Sequence, residues 1–295
     1  MSDPMFDRII SIDWSGGENK TEGEHVSLRV AVWDRRSGPI IQRPPNANKT
    51  RRKWSKQECR EWLLLQLADG SQRTLAAFDF GFSLPWGSEA ALFQVQGWRA
   101  LLAEMRRLYD ESGTGRTTAE AVNAISCLNG HGPYRLTKDD RTERRFYVQH
   151  GVGYYRLTEL ATPQAISQWY LGAGPKVGYH SITGMAALDW LIEKRSEGRA
   201  SFAVWPQETM EPVGNVLVES YPSICPRPAS WGSAQGEHER DAWKVLQHLV
   251  CLNDSGGMAR SFVIPELPFG RVKDVEFLSQ VQFEGWIIGL NNGDK

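Results

Sequence analysis

The sequence is short of the features that mark secreted, membrane-bound or zinc-dependent proteins. Its 295 residues include four cysteines, Cys59, Cys127, Cys225 and Cys251. They lie far apart with no CxxC pair, so neither a disulfide framework nor a structural zinc site is indicated. No apolar run approaches the roughly 20 residues that span a bilayer. The start, Met1 to Asp7, is acidic and polar where a signal peptide would be basic and then apolar. The expectation is a soluble chain in a reducing cytoplasm, with no membrane partner. Positive charge is not in excess either: 34 Lys and Arg face 35 Asp and Glu, a formal net charge of -1. Attraction to nucleic acid would therefore need local basic patches, because a broad positive field is missing. No internal repeat or low-complexity tract is visible.

What is present reads as an α/β protein. Hydrophobic residues make up 41% of the chain, enough for one large core or two ordinary ones. "RIISIDWSGG" carries Ile9, Ile10 and Ile12 and ends on Asp13 before the turn residues Ser15, Gly16 and Gly17. "RTLAAFDFGFSLP" repeats the device, with apolar Leu75 to Phe78 closed by Asp79. Such short continuous apolar runs suit interior strands covered on both faces, as in parallel α/β sheets. Between them, "HVSLRVAVWD" alternates Val26, Leu28, Val30 and Val32 with other residues, the period of a strand with one buried face. Residues 38–53 leave room for a short edge strand, and Ser55 with Glu58 forms a capping box that opens a helix. Residues 86–176 turn to charged helical stretches such as "WRALLAEMRRLYDE". A helix follows near Ile182 to Lys194, then strands in "SFAVWP" and "NVLVESYP", then a helix from about Glu237 to Leu252. The tail "EGWIIGLN" suits a packed strand or an interface segment, and the oligomeric state stays open, a homodimer included.

Four acids end core elements: Asp13, Asp79, Glu219 in "VLVESYP", and Asp241 in "EHERDAW". Each alone could be a turn-capping carboxylate. Together at one sheet edge they would repel each other unless a cation neutralised them or some were protonated. Hard oxygen ligands without His or Cys select magnesium or manganese. Two such ions about 3.5 to 4 Å apart can promote in-line hydrolysis of a phosphodiester.

The order of "SIDWSGG", "AFDFGFSLPWG", "YLGAGPKVGYHSITGM", "VLVESYPS" and "ERDAW" resembles a bacterial family of predicted ribonuclease H-like nucleases of unknown function. The resemblance implies a mixed five-stranded sheet flanked by helices, formed by residues 1–85 and 177–295, with 86–176 as a mostly helical insertion. It also implies a two-metal nuclease in which Asp13 bridges both Mg2+ or Mn2+ ions while Asp79 and Asp241 each hold one. Glu219 joins them as a further catalytic acid, or anchors the turn at Pro222. His238 and Glu239 could serve as proton shuttle or outer ligand, or belong to a solvated helix start.

Substrate contacts are expected from Lys176, in "GAGPKVG", and from Arg141, Arg144 and Arg145 in "RTERR". "NKTRRKWSK", Asn48 to Lys56, is a second basic and aromatic candidate for a nucleic-acid strand. Gly16 and Gly17 would let a phosphate backbone approach the metals. Two other functions fit the same residues. An actin-like or sugar-kinase-like phosphotransferase would use "DWSGG" and "DFGFS" as phosphate loops. A non-catalytic binding module could dock through the tail carrying Trp286, Ile287 and Ile288.

Overall fold

The computed structural model describes residues 4–47, 53–125, 132–137, 143–162, 164–172, 176–265 and 274–290. Strands β1 (Arg8–Asp13), β2 (Arg29–Asp34) and β3 (Gly38–Gln42) come first, followed by helix α1 (Lys56–Ala68) and strand β4 (Thr74–Phe78). Ser55 caps α1: its hydroxyl accepts from the Glu58 amide at 3.1 Å, and the Glu58 carboxylate accepts from the Ser55 amide at 3.2 Å. Within 86–176 lie α2 (Ser88–Phe93), α3 (Trp98–Ser112), α4 (Gly115–Ile125), α5 (Glu143–His150) and α6 (Leu157–Leu160). The chain continues through α7 (Val177–Ser196), β5 (Ala203–Val204), β6 (Val216–Glu219), α8 (Gly236–Asp254), α9 (Met258–Ser261) and α10 (Val275–Glu284).

The class is α/β, and the sheet is mixed, with strand order β3-β2-β1-β4-β6-β5. β2 runs antiparallel to β1 and β3, whereas β4, β6 and β5 continue parallel from β1. The resemblance implies five strands, and six are found among the described residues. The strand expected in "SFAVWP" is β5, two residues that pair with Val216 and Leu217 at the sheet edge.

Side chains alternate along a strand, and here both faces are covered. Ile10, Ile12, Val30, Ala76, Phe78 and Leu217 enter one core with α1, α3 and α7. Ile9, Ala31, Leu75, Ala77, Val216 and Val218 enter a second core with α8 and α10. That double burial is why β1 and β4 read as unbroken apolar runs. It also corrects the one-faced reading of β2, where Ala31 is buried as well.

Segment 86–176 is joined to this core. Leu101, Leu102 and Met105 of α3, Val122 of α4, and Trp169 belong to the same cluster as Ile12 and Phe78, and α3 packs along α7. α10 goes unannounced in the sequence reading, although Asp274 caps it by accepting from the Phe277 amide at 2.8 Å, and Phe277 and Val281 share its buried side. The tail forms no long strand. Ile287 makes a single parallel bridge to Glu219, and Trp286 and Ile288 are buried in the α8-side core. Its apolar residues therefore pack within this chain and form no docking face. Among the described residues no helix is long and apolar enough to cross a membrane.

Candidate active site

Ile12 of β1 stands beside Phe78 of β4 in parallel register, and the Asp79 amide donates to the Ile12 carbonyl at 3.1 Å. Asp13 and Asp79 are thus the next residues along two adjacent strands. The alternation that sends Ile9, Leu75 and Ala77 toward α8 assigns both acids to the same side. α8 crosses β1 and β2 on that face and carries Asp241 near its start. The topology therefore draws Asp13, Asp79 and Asp241 to one end of the sheet.

Their electrostatics reflect that crowding. Burial, followed by the charges of Asp13 and Asp241, holds the Asp79 carboxyl well above its ordinary value. Burial also raises Asp13, opposed by a hydrogen bond between its Oδ2 and His238 Nδ1 at 2.8 Å. Asp241 is raised by burial and then by neighbouring Glu237. At Asp79 repulsion from both neighbouring acids adds to the effect of burial. Among the described residues the side chains of Asp79 and Asp241 have no hydrogen-bond or ion-pair partner, and Asp13 keeps its Oδ1 free.

Hard carboxylate oxygens of this kind suit Mg2+ or Mn2+. They do not form a ready cage: among the described residues no three His, Cys, Asp or Glu side chains lie close enough together to hold a metal. The fit to a divalent ion thus rests on donor chemistry and on the carboxylate oxygens of Asp79 and Asp241, which have no partner among the described residues.

Glu219 does not join the three aspartates. It aligns with Phe78, one residue short of Asp79, and shares the strand face of Leu217 on the opposite side of the sheet. Arg156 grips it with two hydrogen bonds, Nη1 to Oε1 at 2.8 Å and Nη2 to Oε2 at 3.0 Å, and the Phe82 amide donates to Oε1 at 2.8 Å. With both oxygens committed, Glu219 is a structural anchor, and its expected catalytic role is corrected accordingly. Arg156 also donates to Glu159 Oε1 at 2.9 Å and to the Glu284 carbonyl at 2.8 Å. One buried guanidinium therefore ties β6, α6 and the end of α10 together.

A cavity of about 290 Å3 opens beside the aspartates, bounded by Asp79, Asp241, Arg156, Gln168, Lys176, His180, Tyr221 and Ile287 among others. His180 stands in the first turn of α7, where burial and nearby His238 lower its imidazole to about 4, so it is neutral at physiological pH. Among the described residues its imidazole has no hydrogen-bond partner. The sequence reading missed both His180 and Arg156, although His180 stands inside the quoted motif "YLGAGPKVGYHSITGM".

The other expected contacts divide. Lys176 borders the cavity, with its ammonium paired to Glu18. Arg141 lies outside the described residues, and Arg144 and Arg145 fall in the first turn of α5 with side chains outside the described set. In "NKTRRKWSK" residues 48–52 are also outside it, while Trp54 and Lys56 are buried. Lys56 donates to the Lys20 carbonyl at 3.1 Å, and burial lowers its amine to about 8. It fixes the loop after β1 and cannot track a phosphate backbone.

His238 hydrogen-bonds Asp13. Glu239, expected at a solvated helix start, is buried and accepts from Arg43 at 2.8 Å, with Arg29 at 3.5 Å. The glycines after Asp13 serve packing. A Cβ on Gly16 would lie 2.5 Å from the Tyr179 carbonyl carbon and 2.7 Å from the His180 amide nitrogen, so the turn is pressed against the start of α7. Gly17 adopts φ +52°, the left-handed region that favours glycine. The expectation that the pair opens the way to a phosphate is therefore overturned. Comparison with protein-family models, with curated proteins and with solved structures found no match to this chain.

Proposed function

We propose that the protein is a divalent-metal-dependent nuclease that hydrolyses phosphodiester bonds of DNA or RNA at the end of the sheet carrying Asp13, Asp79 and Asp241. The observation that carries the reading is the placement of three aspartates, from β1, β4 and α8, at one end of the sheet, where burial and then repulsion from Asp13 and Asp241 disfavour ionisation of Asp79. The antiparallel second strand, the parallel fourth strand and the late acid-bearing helix agree with what the ribonuclease H-like resemblance implies. In this reading Asp13, Asp79 and Asp241 hold Mg2+ or Mn2+, as two ions in the form the resemblance implies. Such ions supply Lewis acidity toward phosphoryl oxygens and a more acidic water. His238 fixes the orientation of Asp13, and Arg156 braces the wall of the adjoining cavity.

A phosphotransferase of the actin or sugar-kinase type is less well supported. Its two phosphate loops would need open glycine backbone, but Gly16 is covered by α7 and Gly81 by the Gln168 side chain, 2.7 Å from a built Cβ. The non-catalytic module loses its tail surface, which is buried.

The test compares wild type with Asp13→Asn on labelled DNA, RNA and hybrid strands in manganese. Cleavage is expected from the wild type and should fall by at least about 100-fold in the variant, since loss of even an outer partner of a metal ligand costs 10- to 100-fold. Equal cleavage by the two proteins would refute the assignment.

A further inference from the structure

We infer that the cavity beside Asp79 and Asp241 is a pocket for one terminal nucleotide, so that the enzyme acts on strand ends. The inference rests on the nuclease reading for its chemistry, and on the cavity for its ligand.

Size is the first argument. At about 290 Å3 the cavity is at the lower limit of small-ligand sites, which begin near 300 Å3. That volume admits at most one nucleotide, and a duplex, with a major groove alone about 12 Å wide, cannot enter.

The second argument is position. Asp79 and Asp241 form one wall, and Ile166 from the segment after α6, with Ile287 from the tail, belongs to the lining beyond them. A strand running through the site would need a groove open at both ends. Here the lining includes Arg156, which binds Glu219 on β6, Glu159 on α6 and the Glu284 carbonyl at once. The wall is thereby braced against opening.

Chemistry is the third. Half-buried Ile166 offers apolar surface to a base, and the His180 imidazole, which has no partner among the described residues, offers a hydrogen bond to a sugar or phosphate oxygen. A nucleotide seated there would place its phosphodiester toward Asp79 and Asp241. His180 would then be a substrate-positioning residue.

The experiment has two arms, both with the full chain in manganese. Calorimetry with nucleoside monophosphates is expected to show binding to the wild type. His180→Ala and the cavity-filling Ala165→Trp, at a residue that lines the cavity, each checked for a wild-type melting temperature, should weaken binding about tenfold or more, or 1.4 kcal/mol. Should Ala165→Trp fail to fold, His180→Ala alone decides. In the second arm, linear single strands should be degraded to mononucleotides, and closed circles of the same sequence should resist. If no mononucleotide binds, or if both variants bind as tightly as wild type, the pocket is refuted whatever the cleavage result. Equal cutting of circles and lines refutes end recognition. Binding that the variants weaken, without cleavage of either substrate, upholds the nucleotide pocket and refutes the nuclease reading.

Discussion

Asp79→Asn should make the metal-free protein more stable and leave it inactive. Asn keeps the shape of the side chain and removes a charge that burial and the neighbouring Asp13 and Asp241 disfavour. Relief of such a functional-site conflict commonly adds about 0.5 to 2 kcal/mol. For a chain of this size that corresponds to a rise of roughly 1 to 8 °C in melting temperature. The gain should depend on pH in a definite sense. A carboxyl raised in the folded state is protonated in both states below its ordinary value of 3.8, so it costs nothing there. Above that pH the unfolded chain releases the proton and the folded chain retains it, and the wild type loses stability relative to the variant until the folded group ionises. Melting curves of the two proteins in chelator should therefore coincide near pH 3.5 and separate as pH rises. Added Mn2+ should reverse the order by stabilising only the wild type, at about 2.7 kcal/mol for a concentration 100 times Kd. Cleavage by the variant should drop by at least about 100-fold. A variant no more stable than wild type at neutral pH would mean that the repulsion at Asp79 is already compensated.

The largest loss of stability is expected from Arg156→Ala. Burial disfavours the guanidinium charge, but Glu219 and Glu159 more than offset that and hold Arg156 above its ordinary value. Removing the cation leaves Glu219 and Glu159 buried without it, a change that costs about 3 to 5 kcal/mol. The melting temperature should fall by about 6 to 20 °C, at 2 to 4 °C per kcal/mol. The loss has a structural route, because the Glu219 carbonyl also accepts from the Ile288 amide at 2.9 Å, and the Thr158 hydroxyl accepts from the Ile287 amide at 3.1 Å. β6, α6 and the tail should loosen together. The double variant Arg156→Met with Glu219→Gln should recover part of the loss, since it leaves one fewer buried charge unpaired. Urea unfolding checks both proteins, and a single variant within 1 kcal/mol of wild type, about the worth of an exposed ion pair, would contradict the anchoring role.

Much of the fold was legible because the strongest signals were local. The apolar runs ending in Asp13 and Asp79 marked interior strands, and Ser55 with Glu58 marked the start of α1. The strand in "SFAVWP" was legible as well, whereas the pairing of the two-residue β5 with β6 was not, since it depends on register rather than on local pattern. The site was legible in part for the same reason. Asp13 and Asp79 share a face because each follows a residue, Ile12 or Phe78, directed away from α8, whereas Glu219, alike in appearance, falls one position out of phase. Only the register of β4 against β6 reveals the difference. Arg156 was hidden because a buried arginine looks like any charged residue in a helical segment, and its partners Glu219 and Glu284 lie 63 and 128 residues away. Gly16 was misread because an open turn and one pressed against a helix have the same sequence, and the contact is with Tyr179 and His180.

The most direct measurement is anomalous diffraction at the manganese edge from crystals of the wild-type protein grown with Mn2+. The expected result is manganese density bounded by the carboxylates of Asp13, Asp79 and Asp241, with these side chains drawn toward it. Crystals in manganese with the three carboxylates splayed and no density between them would contradict the metal-dependent site.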